Sequence, residues 1–93
     1  MISETTIRKV RELAIEDVLS PYVRLSRKGS TLMGLCPFHT EKTGSFAVTP
    51  SKNLFHCFSC NRGGDSITFI MEKENLSFSA AVEFIARNHN IPV

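Results

Sequence analysis

The chain has 93 residues, of which 42% are hydrophobic and 22% charged, with five glycines and four prolines. That suffices for one compact domain and is too little for a second with its own core, and the ordinary composition excludes a disordered tail or a fibrous repeat. The formal net charge of +2 conceals a division: Val23 to Arg62 carries six bases against Glu41, a surplus of +5, while the flanks sum to −3. A positive middle segment suggests a polyanionic partner, although a solvated loop face has the same signature.

In chain order, Ser3 is placed to cap a helix with apolar positions Ile7, Val10 and Ala14, and a short turn over Ile15 to Leu19 stops at Pro21. From Val23 the pattern alternates, Lys28-Gly29-Ser30 reads as a turn, and Thr31 to Leu35 as the returning strand. Ser45 to Thr49 and Leu54 to His56 make a second alternating pair around Pro50-Ser51-Lys52-Asn53. Asp65 caps a helix over Ile67, Ile70 and Met71, and Ser77 caps one over Phe78, Ala81, Val82 and Ile85. The fold expected is α+β: a small antiparallel β-sheet flanked by helices at both ends.

Three cysteines cannot all pair internally, and the opening residues carry no secretory pattern, so a reducing, cytoplasmic setting is expected. No apolar run approaches the roughly 20 residues that span a bilayer. Cys36-Pro37-Phe38-His39 and Cys57-Phe58-Ser59-Cys60 are instead two ligand pairs, each with a two-residue spacer, separated by 17 residues. A tight turn over two residues aims both side chains at one ion, and 17 residues allow a hairpin to go out and return. Four protein ligands leave no position for a substrate water, so the expected cofactor is a single structural zinc. With three thiolates, such a site lowers the middle segment's surplus to about +4. His56 lies one residue off the pair and reads as a strand-face histidine. His39-Thr40-Glu41 with Cys57 and Cys60 is superficially like a zinc deaminase signature, but His56 stands where that signature has proline, and Cys36 fills the open coordination position. Asn61 follows the second pair where a left-handed backbone is often needed.

The motifs Gly34-Leu35-Cys36-Pro37-Phe38-His39, Glu41-Lys42-Thr43-x-Ser45-Phe46, Phe55-His56-Cys57-Phe58-x-Cys60 and Gly63-Gly64-Asp65, in this order, closely resemble the amino-terminal zinc-binding domain of bacterial DNA primases. The resemblance covers nearly the whole chain. It implies a zinc ribbon liganded by Cys36, His39, Cys57 and Cys60 that engages single-stranded template and helps choose where an RNA primer begins. On this reading residues 1–93 are one domain of a longer primase, a DNA-directed RNA polymerase whose catalysis belongs to a separate toprim-type domain. The chain itself contributes no catalytic group. Its implied partners are the template, a primase catalytic domain in cis or in trans, and a replicative helicase through regions outside the chain, in the cytoplasm at the nucleoid. Gly44 stands where the family usually has proline, Ser59 and Asn61 replace common glycines, and Lys28-Gly29-Ser30-Thr31-Leu32 lacks the usual asparagine and aromatic.

Single strands are held by cations along the phosphates and by aromatic faces under the bases, each stack worth about 1–3 kcal/mol. The expected DNA contacts are Arg27, Lys28, Lys42, Lys52 and Arg62, with Phe46 or Phe55 as the stacking face. Phe38, Phe69, Phe78 and Phe84 are assigned to packing, where most phenylalanines of so small a domain must go. A competing reading makes the chain a structural zinc ribbon whose basic surface docks onto a catalytic module or another protein without touching DNA.

Overall fold

A computed structural model of the chain describes residues 2–39 and 44–93. Helix α1 (Glu4–Glu12) starts where Ser3 Oγ accepts from the Thr6 backbone N–H at 3.2 Å, and α2 (Ile15–Leu19) follows after an extended Leu13. Strands β1 (Ser26–Lys28) and β2 (Thr31–Gly34) form one hairpin, β3 (Phe46–Thr49) and β4 (Leu54–Cys57) a second, and β5 (Gly63–Gly64) closes a sheet of order β1-β2-β3-β4-β5. Every neighbouring pair is antiparallel. Helices α3 (Ser66–Glu74) and α4 (Phe78–Asn88) complete the fold, capped by Asp65 Oδ1 accepting from Thr68 N–H and Ser77 Oγ from Ala80 N–H. This is the expected α+β zinc ribbon, an antiparallel sheet with helices before and after it.

Three details depart from the expected elements. Helix α1 ends at Glu12, so Ala14, expected on its apolar face, is instead the extended residue that precedes α2. The first hairpin begins at Ser26 rather than Val23, because the Val23 N–H is engaged by the Leu19 carbonyl at the end of α2. The Arg24 stretch then passes over Gly34 so closely that a Cβ there would lie 2.5 Å from the Arg24 carbonyl oxygen. Strand β5 has no counterpart in the expected elements: two glycines carry no side-chain alternation. Gly64 has φ +148° and a Cβ on it would meet Thr68 at 2.9 Å, so the strand-to-helix passage requires glycine.

The core lies between the helices and one face of the sheet. Phe46, Val48, Phe55 and Cys57, paired across β3 and β4, turn inward to meet Val10, Ile15, Leu19, Ile67, Phe69, Ile70, Val82 and Ile85. Phe69 is the hub: its ring lies 5.1–6.1 Å from those of Phe38, Phe55, Tyr22 and Phe46, within the range where aromatic pairs attract. Alternation sends Met33, Ala47 and His56, side by side in register, to the opposite face of the sheet. None of the described helices is long and apolar enough to cross a membrane.

Candidate metal centre

Both ligand pairs sit at the same end of the sheet because the register puts them there. Gly34, Phe46 and Cys57 lie in one row across β2, β3 and β4, so the chain leaving β2 and the chain leaving β4 emerge together. The second knuckle is a tight loop joining β4 to β5. Cys57 N–H donates to the Arg62 carbonyl and Asn61 N–H to the Cys57 carbonyl, both at 2.8 Å, and Asn61 takes the left-handed φ of 61° that this closure needs. The first knuckle is fastened to the body by Lys73 Nζ, which donates to the Pro37 carbonyl at 3.0 Å, and by the Phe38 ring in the aromatic core. Arg62 joins the two knuckles, its guanidinium 4.8 Å from the Phe38 ring centroid.

The ligand atoms of Cys36, His39, Cys57 and Cys60 all lie within 4.8 Å of one another. Cys36 Sγ and Cys60 Sγ are 3.8 Å apart, and Cys57 Sγ lies 3.7 Å from His39 Nε2. A disulfide needs about 2 Å between sulfurs, so Cys36 and Cys60 are not joined by one. A zinc tetrahedron with metal–sulfur bonds of about 2.3 Å and metal–nitrogen bonds of about 2.0 Å has edges near 3.8 Å and about 3.5 Å, close to these two separations. Burial opposes ionisation of Cys57, but the Cys60 backbone, the His39 ring and the neighbouring thiols bond to its sulfur and bring its pKa down to about 6. Cys36 goes the other way: burial, against a backbone hydrogen bond from Phe38, and the two neighbouring thiols push it up to about 12. Three sulfurs this close cannot all be anionic without a counter-charge, which is what a divalent cation supplies. The set is arranged to hold one zinc ion. His56 stands outside it on the sheet face, its ring 4.6 Å from that of Phe58.

The pattern of the CHC2 zinc finger matches residues 2–93. The chain belongs to the CHC2 zinc finger family. Among the relatives of this primase-type domain, the DNA primase of Streptomyces coelicolor is 49% identical over 87 residues, which cover 91% of this chain and 14% of that protein. The DNA primase of Mycobacterium tuberculosis is 52% identical over 87 residues, with the same shares. The crystal structure of the Aquifex aeolicus primase, comprising zinc-binding and RNA polymerase domains, superposes with a TM-score of 0.86 at 39% identity over 100% of this chain and 23% of that one. This CHC2 domain thus spans about one-seventh of the length of the S. coelicolor and M. tuberculosis primases.

The CHC2 fold disperses the expected nucleic-acid residues. Phe46 and Phe55, expected as stacking faces, are 0% and 3% exposed and stack on each other in the core, so neither offers a face to a base. The reason is periodic: Phe55 is two residues before the buried ligand Cys57 and shares its side of the sheet. Phe58, one residue past Cys57, is instead 70% exposed, and that offset from a buried ligand is the signal in the sequence that marks it. Arg27 and Lys28 point to opposite faces of β1, and Lys52 sits in the β3–β4 turn, at the far end from the metal. Arg62 is exposed at the metal end, and Lys42 lies outside the described residues. Arg24, absent from the expected contacts, lines an open groove of about 620 Å³ with Ser26, Lys28, Met33 and the half-exposed Leu35. Of the rings assigned to packing, Phe38, Phe69 and Phe84 lie in or against the core, while Phe78 is at the surface beneath Arg11, whose guanidinium is 5.8 Å from its centroid.

Proposed function

We propose that this domain binds the single-stranded template of a DNA primase and helps select where the RNA primer starts. The observation that carries the reading is the sheet face turned away from the helices, where the exposed Phe58 ring adjoins His56 and the groove of Arg24 and Lys28 opens. An exposed ring accepts any base, and uncommitted cations follow the phosphates. Arg62 extends the positive surface at the metal end; Arg27 and Lys52 stand on other faces and contribute through the long-range field. Zinc holds the face in shape and takes no part in bond making, because all four positions belong to the protein. Primer synthesis is the work of a polymerase domain, in cis or in trans, to which this domain delivers template, and a replicative helicase engages other parts of the parent primase. The pairing of zinc-binding and RNA polymerase domains in the A. aeolicus primase supports that arrangement.

Fluorescence anisotropy of the zinc-loaded chain with labelled single strands tests the reading. Phe58→Ala is expected to weaken binding about ten-fold, the worth of one base stack. Arg24→Ala with Lys28→Ala is expected to lower the slope of log affinity against log salt by about 1–2. Unchanged affinity and salt slope in both variants would leave the face as a protein-docking surface.

A further inference from the structure

The sheet ends at β1, a three-residue strand exposed along its length, and the stretch of chain around it has a groove on each of its two faces. We propose that this edge accepts an extended segment of a partner protein as a sixth strand of the sheet, a segment in which acidic residues alternate with a lysine. The inference goes beyond the single-strand reading above. It shares Arg24 and Lys28 with that reading, so a DNA strand and a protein segment exclude one another at those two cations.

The turn after β1 decides which backbone groups are open. Gly29, with a φ of 64°, and Ser30 form a two-residue turn, which makes Lys28 and Thr31 the bonded pair that closes the hairpin. Bonded and non-bonded pairs alternate along antiparallel strands, so Arg27, opposite Leu32, turns its N–H and C=O away from β2. Among the described residues no strand lies on that side to receive them. The backbone of another chain, laid along the edge, meets both.

The grooves define the segment's side chains. Arg24, Ser26, Lys28 and Met33 line the outer groove of about 620 Å³, while Leu25 and Leu32 line a second, of about 520 Å³, together with Tyr22 and Glu16 of α2. Arg24 borders both, so the two lie back to back about the same stretch of chain. Successive side chains of an added strand point to opposite faces, one into each groove in turn. The outer groove has two cations and, among its described lining residues, no acid, so it takes acidic side chains. In the inner groove Glu16 Oε1 is buried with no hydrogen-bond partner among the described residues. A buried acceptor left unpaired is costly, and a lysine whose apolar stem lies across Leu25 and Leu32 brings the missing donor. A second copy of this chain does not fit the edge, because two β1 strands side by side would set Arg27 and Lys28 against their own kind.

The experiment is an NMR titration of the zinc-loaded chain with the end-capped peptide Thr-Glu-Lys-Glu-Thr and with Thr-Glu-Glu-Lys-Thr, which has the same composition but no alternation. The first peptide is expected to bind about five-fold more tightly than the second and to slow hydrogen exchange at the Arg27 amide, the mark of a strand added to β1. Replacing its lysine by norleucine is expected to weaken binding to wild type about three-fold and to leave binding to Glu16→Gln unchanged. Failure of the first peptide to bind, equal binding of the two orders, an Arg27 amide that exchanges at its free rate in saturating peptide, or a lysine preference that survives in Glu16→Gln overturns the inference. So does Arg27 protection that rises with protein concentration alone, which makes the occupant a second copy. No nucleic acid enters the titration, so its failure leaves the single-strand reading in place, and failure of the anisotropy measurements leaves the edge proposal standing.

Discussion

Asn53 caps a helix to which it does not belong: its Oδ1 accepts the Ile15 backbone N–H at 2.8 Å across a separation of 38 residues. Ala14, at the N-cap of α2, makes no side-chain capping bond, so the turn between β3 and β4 supplies what the local sequence lacks. The same side chain donates through Nδ2 to the carbonyls of Leu13 at 2.9 Å and Arg11 at 3.1 Å, at the end of α1. One amide therefore closes both helices at their junction. Asn53→Gly keeps the left-handed turn and removes three hydrogen bonds; it is expected to lower stability by about 2–3 kcal/mol in urea unfolding of the zinc-loaded domain. Asn53→Ala is expected to cost about 1 kcal/mol more, through backbone strain. Equal stability of Asn53→Gly and wild type would show that water replaces these bonds at no cost.

Removal of zinc is expected to abolish the cooperative melt, since without the cation the knuckles bring together three sulfurs whose ionised forms repel one another. Adding one equivalent of zinc after chelation should restore the transition. Cys57→Ser, which changes the most buried ligand, should prevent that restoration. Calorimetry with parallel zinc analysis checks both outcomes; a full melt in metal-free protein would contradict them.

Phe69→Ala removes the ring on which four other aromatic rings converge, and a cost of about 3–5 kcal/mol is expected. Because Phe38 lies in the first knuckle and contacts Phe69, this variant should also release zinc faster to a chromogenic chelator. A stability loss without faster release would separate the core from the metal centre.

Tyr22 is the only tyrosine in a chain without tryptophan, so alkaline absorbance reports it alone. Partial burial, then the hydrogen bond it donates to Glu74 Oε2 at 2.7 Å and that residue's negative charge, raise its pKa to about 12. A raised pKa means that the fold favours the neutral phenol. That contribution is complete below the unfolded value of about 10 and is lost as pH rises toward 12. The phenolate transition in folded protein should lie well above that of the urea-unfolded chain, and Glu74→Gln should narrow the gap.

Gly34→Ala places a methyl where the Arg24 carbonyl already lies, and overpacking of about 1–3 kcal/mol is expected in thermal or urea unfolding. Gly29→Ala meets nothing within 4 Å but keeps a positive φ, so its cost is expected to be about 1 kcal/mol, from the backbone alone.

What the sequence made legible follows how local each interaction is. Ser3, Asp65 and Ser77 cap helices within three residues of themselves, and each was readable from composition and spacing. The four metal ligands were legible because paired spacing is itself a geometric constraint. Asn53 could be read only as a turn former, since its partners lie on elements whose proximity is set by the whole fold. The choice between Phe55 and Phe58 required knowing which face the helices take; Cys57, buried as a ligand, fixes that face, and alternation then follows. Strand β5 left no trace, because its residues have no side chains to alternate.

The hairpin of β3 and β4 is thus fastened at both extremities, to the metal knuckles at its root and through Asn53 to the helix junction at its tip. A beam clamped at two points cannot swing about either one. The β1–β2 hairpin, by contrast, is joined to the rest of the sheet along one long edge only, that of β2 with β3.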